Sequence, residues 1–537
     1  MPSAPAEAGP QGFSGGGRAQ QARTGRLCAG DYAGGDGLSN EWSEKRAHLA
    51  AISLVLIGFV ARVFPLSRVA DNDDAPLFIR GVERFSVAEG RPHWPGYPVY
   101  IAAGKLAAAV VGDPAFALQI VSAAASAAIA WPLYWLVRAW ALSLGATPGR
   151  AARAGLCASV LWLATPISWV TGSQIISDPL GLFLGVVFVA LCIRGETERT
   201  ARPWMVAALL GGAMIGVRLV NVSLLGPLAW KAWVARRERW WGLHPVIALT
   251  TTLLAGIAPW LAWLASHDAA GYVHAGEMHL AGHFTRFGES IWTDAHPAER
   301  PAIALRTVAL YGLGAGGPPH GGLRVFASLV WAVTLVTAST LRPWRGRVAI
   351  LIGLWMVPHL AYVFLGHDVA LARYGLSASL AVVLWASLAA ATAKPIGVIG
   401  PALAALTVVA VSLPLAVHQG RQPPVEYQAA RYLARSPRGA VVLATRSEVL
   451  LGVYAMLFGD RVMVLEAQDG LPALAGQANG RALYRTSMPP GDSAGWIPVA
   501  HFCRDPMIEP LIATELWLFR AGTPDANTPL PACGEER

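Results

Sequence analysis

Residues 71–111 read DNDDAPLFIRGVERFSVAEGRPHWPGYPVYIAAGKLAAAVV. Three acids (Asp71, Asp73 and Asp74) open the stretch, an amphipathic segment with Arg80, Glu83 and Arg84 follows, and His93-Trp94-Pro95-Gly96-Tyr97-Pro98 stiffens its middle. Apolar runs flank it on both sides, and ionisable groups are costly inside lipid. So dense a cluster between lipid-soluble segments points to chemistry at a membrane surface. A solvated interhelical loop would also carry charge, and one Asp would serve to cap the following helix. Capping needs one acid, and three are present.

The second half of the stretch decides the topology. Tyr97–Val111 is apolar enough to cross a membrane, but it is short and contains Lys105. Counting it as a span would move Arg138, Arg150 and Arg153 to the outer side, against the rule that basic loops stay inside. It therefore reads as a helix lying in the outer interface.

The same logic orders the rest of the chain. Of 537 residues, 54% are hydrophobic and 14% charged, against about 25% charged in soluble domains. The net charge of +9 comes from short Lys/Arg clusters between apolar runs. That is a topogenic pattern and excludes a nucleic-acid-binding face. Apolar runs of spanning length fall near 48–66, 115–137, 151–173, 178–194, 203–217, 219–235, 242–265, 323–341, 347–365, 371–392 and 396–417. The expectation is an α-helical polytopic membrane protein of about eleven spans, with the N-terminus inside and the C-terminus outside. Residues 1–44 read as a Gly/Ala/Ser/Arg-rich disordered cytoplasmic tail, and 45–417 as the membrane domain with outer loops 67–114 and 266–322. Residues 418–537 alternate helical and β-branched patterns and read as a small α/β domain outside. Cys503 and Cys533 are the two cysteines in that part, and an oxidising compartment would permit their disulfide.

Most unusual polar residues fall on the outer side of this map. Asp178, in Ser177-Asp178-Pro179, sits at the mouth of a span, where Asp-Pro is also an ordinary helix start. Arg218 separates two apolar runs and Arg373 begins a span. A cation at such a place seeks a phosphate or snorkels to the surface. Tyr374 beside Arg373 could stack on a sugar. His283 and Arg286 lie in the second outer loop, interleaved with Phe284 and Phe287, and Lys105 lies on the interfacial helix. No His/Asp group has firm metal-ligand spacing, which leaves a divalent metal open and no other cofactor indicated.

Residues 74–106, DAPLFIRGVERFSVAEGRPHWPGYPVYIAAGKL, resemble the first outer loop of the GT-C membrane glycosyltransferases. The similar members are bacterial transferases using lipid-linked sugars, of the protein mannosyltransferase and aminoarabinose transferase kind. They share Asp-x-x-x-Phe followed by His-Pro-Pro-Gly-Tyr-Pro, and here Trp94 replaces the first Pro. Gly216-Val-Arg218, His283-Phe284 and Arg373-Tyr374 resemble the family more loosely.

The resemblance implies a glycosyltransferase of the cell envelope, in the bacterial cytoplasmic membrane. It would move a sugar from a polyprenyl-phosphate donor to a glycan, lipid or protein acceptor at the outer face. It implies Asp74 as general base, with Asp73 next and Asp178 assisting. Arg218, Arg373, Tyr374, His93, Lys105, His283 and Arg286 would bind donor phosphate or substrate. Direct displacement by one base would invert the anomeric centre. A transporter or lipid flippase would also be polytopic, but its polar groups would gather at mid-membrane. A non-catalytic envelope assembly protein is the remaining alternative.

Overall fold

The computed structural model describes residues 37–64, 66, 72, 74–235, 244–285, 290–317, 320–421, 423–444, 449–466, 481–486, 496–503, 515–521 and 531–532. Asp71, Asp73, Arg286 and Cys533 therefore lie outside the described residues.

The chain is a helix bundle carrying a small sheet near its C-terminus. Helices long and apolar enough to cross a membrane begin with Lys45–Val63, the apolar part of α1 (Gly37–Val63). The next is the continuous run Pro114–Ser143, formed by α4 (Pro114–Ala128) and α5 (Ala130–Ser143). A pair bent by 59°, α6 (Pro148–Ala164) and α7 (Pro166–Ser173), counts as one broken span. Pro166 ends the first half because it cannot donate to the helix ladder. α8 (Asp178–Glu198), the first part of α11 (Pro245–Thr285), α13 (Gly322–Ser339), α14 (Arg347–Gly366), the stretch Ala372–Ala391 containing α15 (Leu376–Ser387), and α16 (Ile396–Arg421) complete the set. Nine expected spans are thus accounted for. The other two form α9 (Ala201–Val217, 17 residues) and a 3-10 turn, Leu219–Leu225, leading into α10 (Gly226–Val234). Both are shorter than the rest because the backbone breaks at Arg218, which is extended (φ −151°, ψ 131°).

Carbonyls freed at the α6/α7 bend need partners, since lipid supplies none. The fully buried Arg62 of α1 reaches them: its Nε donates to Ser168 O (3.1 Å) and its Nη2 to Leu163 O (3.5 Å), while its Nη1 is held by Gly58 O of its own helix (3.0 Å). Ser412 Oγ, from α16, donates to Ala164 O at 2.6 Å. A buried cation thus fixes the bend from which the chain runs into Ser177-Asp178.

Two features differ from expectation. His283 lies on a helix, not in a loop, because α11 continues unbroken from the apolar span to Thr285. Lys105, on α3 (Pro98–Val111), donates to Val82 O at 2.5 Å, closing the end of α2 (Ala75–Glu83). The C-terminal part packs α17 (Val425–Ala434) and α18 (Val449–Ala455) on a five-stranded sheet, ordered β2-β1-β3-β5-β4. The strands are β1 (Ala440–Ala444), β2 (Val462–Glu466), β3 (Ala482–Thr486), β4 (Trp496–Cys503) and β5 (Glu515–Ala521). β1 pairs in parallel with β2 and β3, while β5 runs antiparallel to β3 and β4. Pro498 is tolerated at the β4 register shift, where a ladder donor is not required. Cys503 is disulfide-bonded. Residues of α17, α18, β4 and β5 share one buried apolar cluster with Phe78, Tyr97 and Tyr100 of the segment running from α2 into α3, so the sheet domain is seated on that segment.

Candidate active site

The segment from α2 to α3 is shaped by its own sequence. Pro76 sits in the first turn of α2, and Phe78 packs edge-on against Tyr97 (centroids 4.9 Å) and Tyr100 (5.1 Å). Gly96 (φ 86°) and Tyr97 (φ 48°) turn the chain through left-handed conformations into α3. A Cβ on Gly96 would lie 2.8 Å from Val87, so only glycine fits there.

Asp74 precedes α2, but its side chain makes no capping hydrogen bond. That job falls to buried Asn72, whose Oδ1 accepts from the backbone N–H of Asp74 and of Ala75, each at 3.1 Å. The Nδ2 of Asn72 donates to Ile175 O at 3.1 Å. One amide therefore ties the turn bearing Asp74 to the segment that delivers Asp178.

With its capping duty removed, the Asp74 carboxylate turns to a cation. Arg373 Nη1 donates to Asp74 Oδ2 at 2.5 Å, and His93 Nδ1 lies 3.9 Å from Oδ1. His93 Nε2 shares a 2.9 Å hydrogen bond with the Tyr97 hydroxyl. Burial pushes the Asp74 carboxyl up, but Arg373, then His93 and Arg218, prevail and hold it down at about 2. Asp178 forms the second pair, with Arg218. The Tyr374 ring lies beside both guanidiniums, 5.0 Å from Arg373 Cζ and 5.9 Å from Arg218 Cζ. His367 stacks on that ring at 4.4 Å. Buried Arg300 fixes the His367 turn by donating to Phe364 O (2.7 Å) and His367 O (2.5 Å) while paired with Asp294 at 2.8 Å.

These groups line one cavity of about 360 Å³, walled by Asp74, His93, Trp94, Tyr97, Arg218, His279, His283, Tyr362, His367, Arg373 and Tyr374, with Val453 of α18 at its border. Behind Arg218, Arg373 and Tyr374 lies a smaller recess of about 30 Å³, lined also by Asp178, Asn221 and His359. It has room for roughly one water. Four imidazoles run along the larger cavity, with centroids 5.9 Å apart for His93–His279, 6.5 Å for His279–His283 and 5.9 Å for His283–His367. Burial lowers His279 to about 4, with His93 and His283 pushing the same way against Asp74, and lowers His367 to about 2, with Arg218, Arg373 and the nearby imidazoles adding to it. Both are neutral hydrogen-bonding groups at physiological pH. Among the described residues, no three His, Cys, Asp or Glu side chains are disposed to hold a metal ion.

Asp74, Asp178, Arg218, Arg373, Tyr374, His93 and His283 are therefore brought together. Lys105 is not, since its ammonium is spent on the Val82 carbonyl. Sequence reasoning missed Asn72, His279, His367 and Arg300. A clue to His279 was available, because it lies one helical turn before His283 and shares its face.

Residues 82–241 match the protein O-mannosyl-transferase TMEM260 N-terminal domain family. No curated protein sequence matches the chain. Among solved structures, ArnT from Cupriavidus metallidurans bound to undecaprenyl phosphate is similar over 87% of this chain and 97% of its own, at 14% identity and a TM-score of 0.52. An Archaeoglobus fulgidus oligosaccharyltransferase tethered to an acceptor peptide is similar over 81% of this chain and 69% of its own, at 12% identity and a TM-score of 0.42. The ArnT likeness spans nearly the whole of both chains and establishes the fold, and the domain match points to glycosyl transfer. In its matched domain and in its fold, the chain is similar to membrane glycosyltransferases of the GT-C kind.

Proposed function

We propose that this protein moves a sugar from a polyprenyl-phosphate donor to a hydroxyl or amine of a glycan, lipid or protein at the outer face of the membrane. Asp74 is the general base and the anomeric configuration inverts. The observation that carries the reading is the convergence of the Asp74–Arg373 pair and of Arg218, held from behind by Asp178, on one cavity of about 360 Å³. A donor anchored in lipid presents its phosphate at the interface, so its site needs cations there and a base facing the acceptor.

Arg218 and Arg373 can grip phosphate oxygens through their planar forks. Tyr374 lies beside the two guanidiniums, and the aromatic and imidazole wall offers flat faces and neutral hydrogen-bonding atoms to a sugar. Asp178 holds Arg218 in place, and Asn72 holds the two acidic turns in register. Undecaprenyl phosphate bound to ArnT, which has this fold, supports the donor class. The disulfide-bonded Cys503 and the inward basic clusters support an outward-facing C-terminal domain and a cytoplasmic N-terminus.

The test is incubation of the purified protein with radiolabelled polyprenyl-phosphate sugars and with nucleotide sugars, in the presence of envelope fractions as acceptors. Label should move from the lipid-linked donor. Transfer from nucleotide sugars alone would overturn the donor assignment.

A further inference from the structure

The Asp74–Arg373 contact poses a chemical problem. A carboxylate held this tightly by a guanidinium is a weak base, yet Arg373 lines the same cavity in which the donor phosphate needs a cation. Both demands fall on one side chain. Arg218 cannot substitute as the mobile partner, because its own carboxylate, Asp178, lies in the recess that has room for about one water.

We propose that Arg373 is shared between Asp74 and the donor phosphate, and that it passes from the carboxylate to the phosphate as the reaction proceeds. The inference rests on the reading of Asp74 as the base. The charges explain why one cation suffices. Before transfer, Asp74 is an anion and the donor phosphodiester carries one negative charge. The acceptor oxygen then attacks the anomeric carbon, and the bond from that carbon to the phosphate oxygen breaks, its electron pair staying with the oxygen. The acceptor proton goes to Asp74. Afterwards Asp74 is neutral and the polyprenyl phosphate is a monoester with a second negative charge. The site's net charge is unchanged, but its negative charge has moved from the carboxylate to the phosphate.

A guanidinium positioned between them follows that charge without crossing the cavity. Its loss from Asp74 raises the carboxylate's proton affinity when a base is needed. Its gain by the phosphate stabilises the leaving group. Tyr374, whose face lies 5.0 Å from Arg373 Cζ, gives the guanidinium a surface along which to pivot.

The product-like state can be examined at equilibrium with undecaprenyl phosphate as probe. Between about pH 7.5 and 9 the monoester is already fully ionised, its second pKa being about 6. Ionisable groups around Asp74 are Arg373 and His93 in contact, with Arg218, Tyr97 and His279 beyond. A variant lacking only the Asp74 proton site therefore separates its contribution from theirs. Wild-type affinity should weaken as pH rises, by up to about tenfold per unit for one linked proton. Asp74→Asn leaves Arg373 wholly to the phosphate and should bind several-fold more tightly than wild type, with no such slope.

Kinetics give a second readout. A cation that only binds donor would alter KM alone, and one that only holds Asp74 would alter kcat alone. Arg373→Gln should change both, each by tenfold or more. Equal affinity and equal pH dependence in wild type and Asp74→Asn would overturn the sharing, as would an effect of Arg373→Gln confined to one constant. Those outcomes leave Asp74 as base intact. Near-normal turnover by Asp74→Asn would instead overturn the base assignment. The pH measurement on wild type stands even if Arg373→Gln does not fold.

Discussion

Two ionic clusters sit at opposite ends of the helix bundle. At one end Glu196, on the last turns of α8, accepts from Lys231 of α10 at 2.8 Å and from Arg347 at the start of α14 at 2.6 Å. Lys231 is fully buried and lies over Trp204, 5.3 Å from the ring centroid. Two cations converge on one carboxylate, and the inner lysine is sealed from solvent. At the other end two carboxylates meet two arginines, and space for a molecule opens beside them. Similar side chains thus serve opposite ends. Where the cluster is closed and saturated it ties helices together. Where its cations border a cavity they can face a ligand, and each is balanced by a carboxylate.

The contrast fixes what substitutions should do. Glu196→Gln removes the counter-ion of a fully buried lysine, and breaking such a pair by removing one partner costs about 3–5 kcal/mol. Thermal unfolding in detergent should fall accordingly, with little change in turnover by the protein that remains folded. Arg218→Ala at the cavity end should act on the donor, since losing a charge-assisted phosphate contact costs roughly 1.5–3 kcal/mol. Titration with a polyprenyl phosphate would report it, and unchanged affinity would remove Arg218 from the phosphate site. Asn72→Ala should leave donor affinity in place and lower kcat by about tenfold, because positioning errors act on the reacting geometry. An effect on stability without one on kcat would make Asn72 purely structural.

The smallest effect concerns acid. His279 is lowered from 6.5 to about 4 in the folded state, so the unfolded chain binds more protons between those values. Stability should therefore fall as pH drops through that window, and His279→Gln should flatten part of the fall. Identical acid profiles for the two proteins would show that His279 is not held neutral by the fold.

Much of this was legible in the chain because lipid makes charge conspicuous. Asp74, Asp178, Arg218 and Arg373 stand out where apolar runs end, and the rigid HWPGYP segment marks the loop that carries Asp74. The remainder depends on contacts between elements far apart in sequence. Asn72 matters because Ile175 lies within reach of its amide, and His367 because Arg300 fixes its turn against Tyr374. The course of α11 to Thr285 was also hidden. Its apolar signal ends near His267, and the polar helical turns beyond it read as loop. Lys105 shows the opposite error: a cation near the interface was read as a phosphate ligand, whereas a local carbonyl takes it.

The central claim is that the cluster beside the cavity is the catalytic centre, with Asp74 as its base. Asp74→Asn keeps the size of the side chain and, because Asn72 makes the capping bonds, leaves the start of α2 intact. The direct measurement is sugar transfer from a radiolabelled polyprenyl-phosphate donor by purified wild type and Asp74→Asn, with donor binding measured on the same preparations. The account predicts a rate lower by about a hundred- to ten-thousandfold, with donor bound at least as tightly. A folded Asp74→Asn protein that transfers sugar at near the wild-type rate would contradict it.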